Sequence, residues 1–160
     1  LPFVRNTGPA LSPFNAWLLL KGLETLELRV ERHCQSARAI AEGLESHPRV
    51  RAVYYPMLAS HRQHALARRQ MTAGGTIVTF DIAGGRAAAF RFLDSLRLID
   101  ISNNLGDAKS LATHPATTTH QRLTEEQRRE MSIGEATIRL SIGLEGLADL
   151  TRDIEQALAS

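Results

Sequence analysis

The chain has 160 residues, 43% of them hydrophobic, which is enough for the core of one globular domain. Nineteen Lys and Arg against seventeen Asp and Glu give a formal net charge of +2 that no run concentrates, so nucleic-acid binding is not indicated. The single cysteine, Cys34, excludes an intrachain disulfide and a multi-cysteine metal site, and this favours a reducing, cytoplasmic setting.

Two features of the sequence concern its context. No apolar run approaches the ~20 residues of a membrane span, since runs such as WLLL at 17–20 are far shorter, and no signal peptide opens the chain. We therefore predict no membrane partner. Because the chain begins with Leu and LPFVRNTGPA is typical of a chain entered partway, we expect the 160 residues to be a fragment of a longer protein.

The first predicted element is a long helix. Ser12 followed by Pro13 is typical of an N-cap and a first helical residue, and apolar residues then recur at helical spacing as far as HP at 47–48, which ends the helix. This pattern fits either one very long helix or two helices joined by a bend, for which Gly22 is the natural position.

The middle of the chain alternates strands and helices. VRAVYY at 50–55 is a predicted strand, and a short helix around 61–70 follows it. TIVTFDI at 76–82 is a second strand, and GG at 84–85 turns the chain into the helix RAAAFRFLDSL.

The last third contains a candidate site. Two short strands, LIDIS at 98–102 and SLATH at 110–114, flank the loop NNLGDAK, whose residues are turn formers. Thr124 and Gln127 form a capping box for a short helix. The strand in ATIRLSIGLE, at 136–145, precedes a terminal helix with apolar residues on one side, namely Leu147, Leu150, Ile154 and Leu158.

Together these elements predict an α+β fold in a single domain, residues 1–160. It is an antiparallel or mixed sheet of about four to five strands, covered on one face by helices and preceded by a long N-terminal helix. The period-two pattern buries one set of side chains beneath the helices: Val78, Phe80, Ile82, Ile138, Leu140 and Ile142. It leaves Thr137, Arg139 and Ser141 on an uncovered face.

Arg139 is the residue of that face whose role is least obvious. A guanidinium in mid-strand is partly desolvated and needs an acceptor, yet its neighbours on the same face, Thr137 and Ser141, are not acids. A distant Asp or Glu could satisfy it as well as a ligand could. SNN at 102–104 favours a ligand, because binding groups often lie at strand ends, although Asn is also an ordinary turn former. The residues therefore predict a small-molecule carboxylate site.

Metal binding is a weaker interpretation of the histidines. His61 and His64 are three residues apart, and His114 and His120 bracket PATTT, but neither pair has a recognisable third ligand. We predict no metal site. Cys34, which has no partnering group nearby in sequence, is predicted to be a buried, unreactive thiol.

Three segments in this order resemble the C-terminal portion of the Cys/Met-metabolism family of pyridoxal-phosphate (PLP) enzymes: TGPALSPFNAWLLLKGLETLELRVERH, SNNLGDAKSLATHPATTTHQRLTEEQR and ATIRLSIGLE. The second segment most resembles the O-succinylhomoserine sulfhydrylases of that family. The resemblance implies that Arg139 holds the α-carboxylate of an amino-acid substrate. It also implies that Asn104 and Leu105 face this substrate and that Thr119 lies near the same site.

The resemblance further implies that the cofactor chemistry lies elsewhere. The family's Schiff-base lysine and its other PLP-binding residues belong to a larger, preceding domain, and neither Lys21 nor Lys109 lies in the family's lysine motif. We therefore expect this chain to be the C-terminal substrate-binding domain, with no catalytic residue, no PLP and no activity of its own. The full-length enzyme is expected to be a cytoplasmic homotetramer that carries PLP.

The implied reaction converts O-succinylhomoserine and sulfide to homocysteine and succinate in methionine biosynthesis. Many family members have serine at the position of Asn104, so cystathionine γ-synthase or methionine γ-lyase activity is the alternative within the family. The alternative from another class is a stand-alone module that binds a small molecule or docks a protein on its open sheet face.

Overall fold

A five-stranded mixed sheet organises the chain in the computed structural model, which describes residues 10–160. In chain order the strands are β1 Val50–Tyr54, β2 Ile77–Ile82, β3 Asp100–Ile101, β4 Leu111–Thr113 and β5 Thr137–Ser141. Across the sheet the order is β1-β2-β5-β4-β3, with antiparallel neighbours except for the parallel pair β3 and β4. The predicted α+β class is confirmed, and β5 is the central strand.

Helices cover one face of this sheet, as the apolar periodicity predicts. The helices of the described chain are α1 Pro13–Glu24, α2 Leu26–Glu45, α3 His64–Gln70, α4 Gly85–Ser95, α5 Glu125–Glu130 and α6 Leu147–Leu158. Apolar residues of α2, α4 and α6 form one core with the predicted strand residues, each of which is at most 1% exposed: Val78, Phe80, Ile82, Ile138, Leu140 and Ile142. Between residues 10 and 160, no helix has the length and apolar character needed to span a bilayer.

The predicted N-terminal helix is two helices, and they join at Thr25 instead of Gly22. Thr25 leaves helical geometry, with φ −112° and ψ 11°, and its N–H donates to the carbonyl of Leu23. Arg29 of α2 donates from Nη2 to the carbonyl of Gly22 at 2.5 Å. Gly22 lies within α1, and the Arg29 side chain satisfies its carbonyl, which is one of those left without a helical partner at the end of α1.

The second face of the sheet is less open than the sequence predicts. Thr137 and Ser141 are each only 1% exposed, so their assignment to an uncovered face is wrong. Irregular segments cover them: Gly134 donates its N–H to Thr137 Oγ1 at 2.9 Å, and Gly106 donates its N–H to Ser141 Oγ at 2.9 Å. Arg139, between them on β5, remains half-buried.

Candidate functional site

Arg139 lies at the centre of β5 and has a threonine on each side. Its cross-strand partners are Thr79 of β2 and Thr113 of β4. None of the ion pairs formed within residues 10–160 includes Arg139. The alternative in which a distant carboxylate neutralises this guanidinium therefore finds no support in the described part of the chain.

Backbone carbonyls orient the guanidinium but do not neutralise it. Nη2 donates to the carbonyl oxygens of Asn103 at 2.9 Å and Asn104 at 3.1 Å. Nε is buried and has no hydrogen-bond partner, and Nη1 has no acceptor among the described residues. Burial lowers the pKa of Arg139, because desolvation disfavours the charged form. A partly desolvated cation with unused donors is suited to bind a carboxylate.

The loop that supplies these carbonyls is attached to β5 at a second point. Gly106 donates its backbone N–H to Ser141 Oγ at 2.9 Å, two residues along β5 from Arg139. Gly106 has φ +78°, a left-handed conformation that glycine adopts without steric cost. Residues 103–106 are therefore held against the strand by Arg139 and by Ser141.

The end of this loop is anchored by residues that sequence reasoning missed. Glu145 accepts hydrogen bonds from Ser110 N at 2.6 Å and from Ser110 Oγ at 2.9 Å, and Ser110 Oγ accepts from Gly143 N at 2.8 Å. A Cβ on Gly143 would lie 2.5 Å from backbone atoms of Lys109 and Ser110, so glycine is required there. Gly143 and Glu145, which lie two and four residues after the end of β5, were the available sequence signal.

The predicted site residues are brought together only in part. Asn104 contacts Arg139 through its carbonyl, and Leu105, which is 60% exposed, follows it in the loop. Thr119 is exposed, and its Oγ1 hydrogen-bonds His120 Nδ1 at 2.8 Å instead of Arg139. Its neighbour Thr118 reaches the site indirectly, through a 2.9 Å hydrogen bond to Thr113. Roles in substrate binding for Asn104, Leu105 and Thr119 stay predictions.

His114 has a structural role in this region. It is 2% exposed, and its ring packs edge-on against Phe90 at a centroid distance of 5.1 Å. Its Nε2 lies 3.1 Å from the Glu135 carbonyl, which can only accept, so Nε2 donates there while Nδ1 hydrogen-bonds the Thr117 hydroxyl at 2.9 Å. Within residues 10–160, no cluster of three His, Cys, Asp or Glu residues is arranged to hold a metal ion.

Neither lysine fits the role of a Schiff-base residue, which must be able to lose its proton near neutral pH. Lys109 Nζ lies 2.6 Å from Asp100 Oδ2 at the surface. The hydrogen bond that Lys109 donates to Asp100, followed by the negative charge of Asp100, raises the pKa of Lys109. Lys21 Nζ lies 3.0 Å from Glu24 Oε1 on exposed α1. The lysines of this chain therefore do not fit a PLP-binding site.

Comparisons with known proteins find relatives that match nearly the whole chain. The chain is 57% identical over 162 residues to an O-succinylhomoserine sulfhydrylase of Mycobacterium tuberculosis, with 98% of the chain covered, and 53% identical over 158 residues to that of Pseudomonas aeruginosa, with 99% covered. The chain spans 39% of the length of each of these relatives.

A solved structure matches the fold closely. This Campylobacter jejuni protein, named as an O-acetylhomoserine (thiol)-lyase and carrying N'-pyridoxyl-lysine-5'-monophosphate, superimposes with a TM-score of 0.91 at 44% identity, covering 99% of this chain and 38% of its own. The model of the family described as "Cys/Met metabolism PLP-dependent enzyme" matches residues 2–159. The chain therefore belongs to the Cys/Met metabolism family of PLP-dependent enzymes.

Proposed function

We propose that residues 1–160 are the C-terminal substrate-binding domain of a PLP-dependent O-succinylhomoserine sulfhydrylase of methionine biosynthesis. The enzyme would convert O-succinylhomoserine and sulfide to homocysteine and succinate. The observation that carries this proposal is Arg139, a half-buried guanidinium with unused donors and no acidic partner in the described chain. Identity to two sulfhydrylases supports this reaction over those of the family's synthases and lyases, and family membership favours an enzyme domain over a stand-alone binding module.

In this proposal Arg139 binds and orients the α-carboxylate of the substrate. Nη1 is the nitrogen that the carboxylate meets, because Nε is covered and Nη2 already donates to two loop carbonyls. A bidentate pair that uses both terminal nitrogens also needs one hydrogen of Nη2. The carboxylate would share this hydrogen with the carbonyls of Asn103 and Asn104. Fixing the carboxylate restricts rotation of the amino acid, so that its remaining groups are presented in one orientation.

The contribution of this chain ends at substrate binding. Since its lysines do not fit a cofactor site, the residues that hold PLP belong to the rest of the protein under this proposal, and residues 1–160 alone are inactive. Exposed Asn104 and Leu105 are proposed to line the substrate beside Arg139, and Thr119 to lie near it. We also propose that the complete enzyme is a cytoplasmic homotetramer.

Arg139→Ala in the full-length enzyme tests the proposal. A charge-assisted interaction contributes on the order of 1.5 to 3 kcal/mol, or more where the pair is partly desolvated, and its loss should therefore lower kcat/KM for O-succinylhomoserine at least tenfold and up to several hundredfold. Bound PLP, measured by its absorbance, should be unchanged. Arg139→Lys should recover only part of the loss, because lysine keeps the charge but lacks the planar fork.

A matched control is Arg152→Ala on α6. Arg152 lies in a surface pair, 2.8 Å from Asp149, with side chains 73% and 60% exposed, so its loss should leave kcat/KM unchanged. Equal kinetics for Arg139→Ala and the wild type would show that Arg139 is a structural residue, and the proposal would be wrong.

A further inference from the structure

Ser141 is a buried polar residue of β5 that the proposed function does not use. It lies two residues from Arg139 on the same face of the strand and is 1% exposed. Its hydroxyl accepts the backbone N–H of Gly106 at 2.9 Å. A buried hydroxyl costs stability unless it is hydrogen-bonded, and here its partner is the loop that holds the guanidinium.

The loop and the strand form a closed chain of contacts. From Arg139 the contacts run through Nη2 to the carbonyls of Asn103 and Asn104, along the loop to Gly106, and back to β5 at Ser141. The two carbonyls determine how the plane of the guanidinium is turned, because both accept from the same nitrogen. The Ser141 hydroxyl in turn determines how close the loop lies to the strand.

Burial of a serine hydroxyl does not by itself create such an anchor in this chain. Ser36 of α2 is also 1% exposed, but its Oγ has no hydrogen-bond partner. What distinguishes Ser141 is therefore its contact with the loop. Ser36 provides a control with the same side chain and the same burial.

We propose that Ser141 is a positioning residue for carboxylate recognition: through Gly106 it fixes the loop carbonyls that orient Arg139. This inference rests on the proposed function of Arg139. Ser141 itself does not touch the substrate, so its effect is confined to binding of the carboxylate.

Steady-state kinetics of the full-length PLP enzyme with O-succinylhomoserine at saturating sulfide test the proposal. Ser141→Ala removes one hydrogen bond that orients Arg139, so we expect KM to rise about three- to tenfold with kcat within about twofold of wild type. Ser36→Ala should change neither constant. Gly106→Ala perturbs the same hydrogen bond from the loop side, where an added Cβ meets no atom within 4 Å and only the φ of +78° is strained. It should raise KM similarly even if Ser141→Ala fails to fold.

A double-mutant cycle separates positioning from general structural damage. In an Arg139→Ala background, Ser141→Ala should cause no further rise in KM, because the residue through which it acts is gone. An unchanged or lower KM in the single variants, or the same rise with and without Arg139, would overturn the inference. If Arg139→Ala alone has no effect, the proposed function fails instead, so the two failures are distinguishable.

Discussion

Helices α1 and α6 have twelve residues each, and they differ in what surrounds them. α6 buries five residues against α4 and the sheet: Leu150, Asp153, Ile154, Ala157 and Leu158. α1 buries none, and its large apolar side chains are 53–66% exposed: Phe14, Trp17, Leu18, Leu19, Leu20 and Leu23. The apolar residues of α6 form one stripe, which a single packing surface covers, whereas those of α1 lie on all sides.

The difference shows which helices are packed by contacts within residues 10–160. The single apolar stripe of α6 can be buried by the sheet and the neighbouring helices, all of which lie within the described chain. A helix that is apolar on every side needs contacts on several sides, but α1 leads into α2 through Thr25 alone and buries none of its residues. Large exposed apolar patches are typical of interaction sites, so the stability of this domain should depend on α6 and be nearly independent of α1.

The largest effect that this comparison predicts comes from one substitution made in each helix. Leu150→Ala in α6 removes a fully buried side chain and should lower the free energy of unfolding by about 2 to 5 kcal/mol. Leu20→Ala in α1, where the side chain is 61% exposed, should change it by less than about 0.5 kcal/mol. Urea denaturation of the 160-residue chain measures both. Similar losses would show that α1 is packed in solution.

The next largest expected loss of stability comes from substituting a polar residue on the buried side of α6. Asp153 is 5% exposed and accepts hydrogen bonds from the backbone N–H groups of Arg97 at 2.9 Å, Leu98 at 2.9 Å and Ile99 at 3.0 Å. Burial alone raises the pKa of Asp153, but these backbone hydrogen bonds and one from Gln156 outweigh it and leave the pKa lowered. The carboxylate thus fixes the segment that leads into β3.

Asp153→Asn should therefore lower the free energy of unfolding by about 1.5 to 3 kcal/mol at neutral pH, because an amide replaces a charged, multiply bonded acceptor. Since the folded-state pKa lies below the unfolded value of about 3.9, this stabilisation is complete above about pH 5 and disappears as the pH falls through the folded pKa. Denaturation of the wild type and of Asp153→Asn at several pH values should show their free energies of unfolding converging in acid. Asp149→Asn, an exposed acid of the same helix, should cost less than about 0.5 kcal/mol. A pH-independent difference would contradict the role of the charge.

Periodicity predicted the regular part of this fold and missed what irregular segments do. The alternation in β2 and β5 and the stripe in α6 depend on neighbouring residues, so they could be recognised without a structure. The period-two pattern places Thr137 and Ser141 on the polar face of β5, because it separates polar from apolar residues, but it does not show which loops cover that face. At the join near Thr25, Arg29 donates a hydrogen bond to the carbonyl of Gly22. No periodic pattern in the sequence predicts this contact.

The candidate site likewise contains some residues that the sequence predicts and others that it does not. Arg139 could be predicted, because a charged residue in mid-strand without an acid beside it departs from a local pattern. The contacts of Ser141 and Glu145 could not be predicted, since each residue acts on a partner 35 residues away in sequence, although Glu145 and Gly143 after β5 were a signal that this turn is specialised. Asp153 did leave a signal, as an acid on the apolar side of α6 between Leu150 and Ile154, although its partners, 54 to 56 residues away, could not be inferred.

The smallest predicted change in stability concerns α1 and gives the sharpest test of the comparison. Leu19→Gln combined with Leu23→Gln replaces two 61% exposed apolar side chains one helical turn apart. Glutamine and leucine have similar helix propensities, and neither leucine is buried within residues 10–160, so the free energy of unfolding should change by less than about 0.5 kcal/mol per substitution. Self-association of the chain should fall, because the exposed apolar surface is reduced. Sedimentation velocity and urea denaturation measure the two quantities, and Arg152→Gln, on the exposed side of α6, should change neither. A loss of stability above about 1 kcal/mol, or unchanged association, would mean that the apolar side chains of α1 are packed in solution.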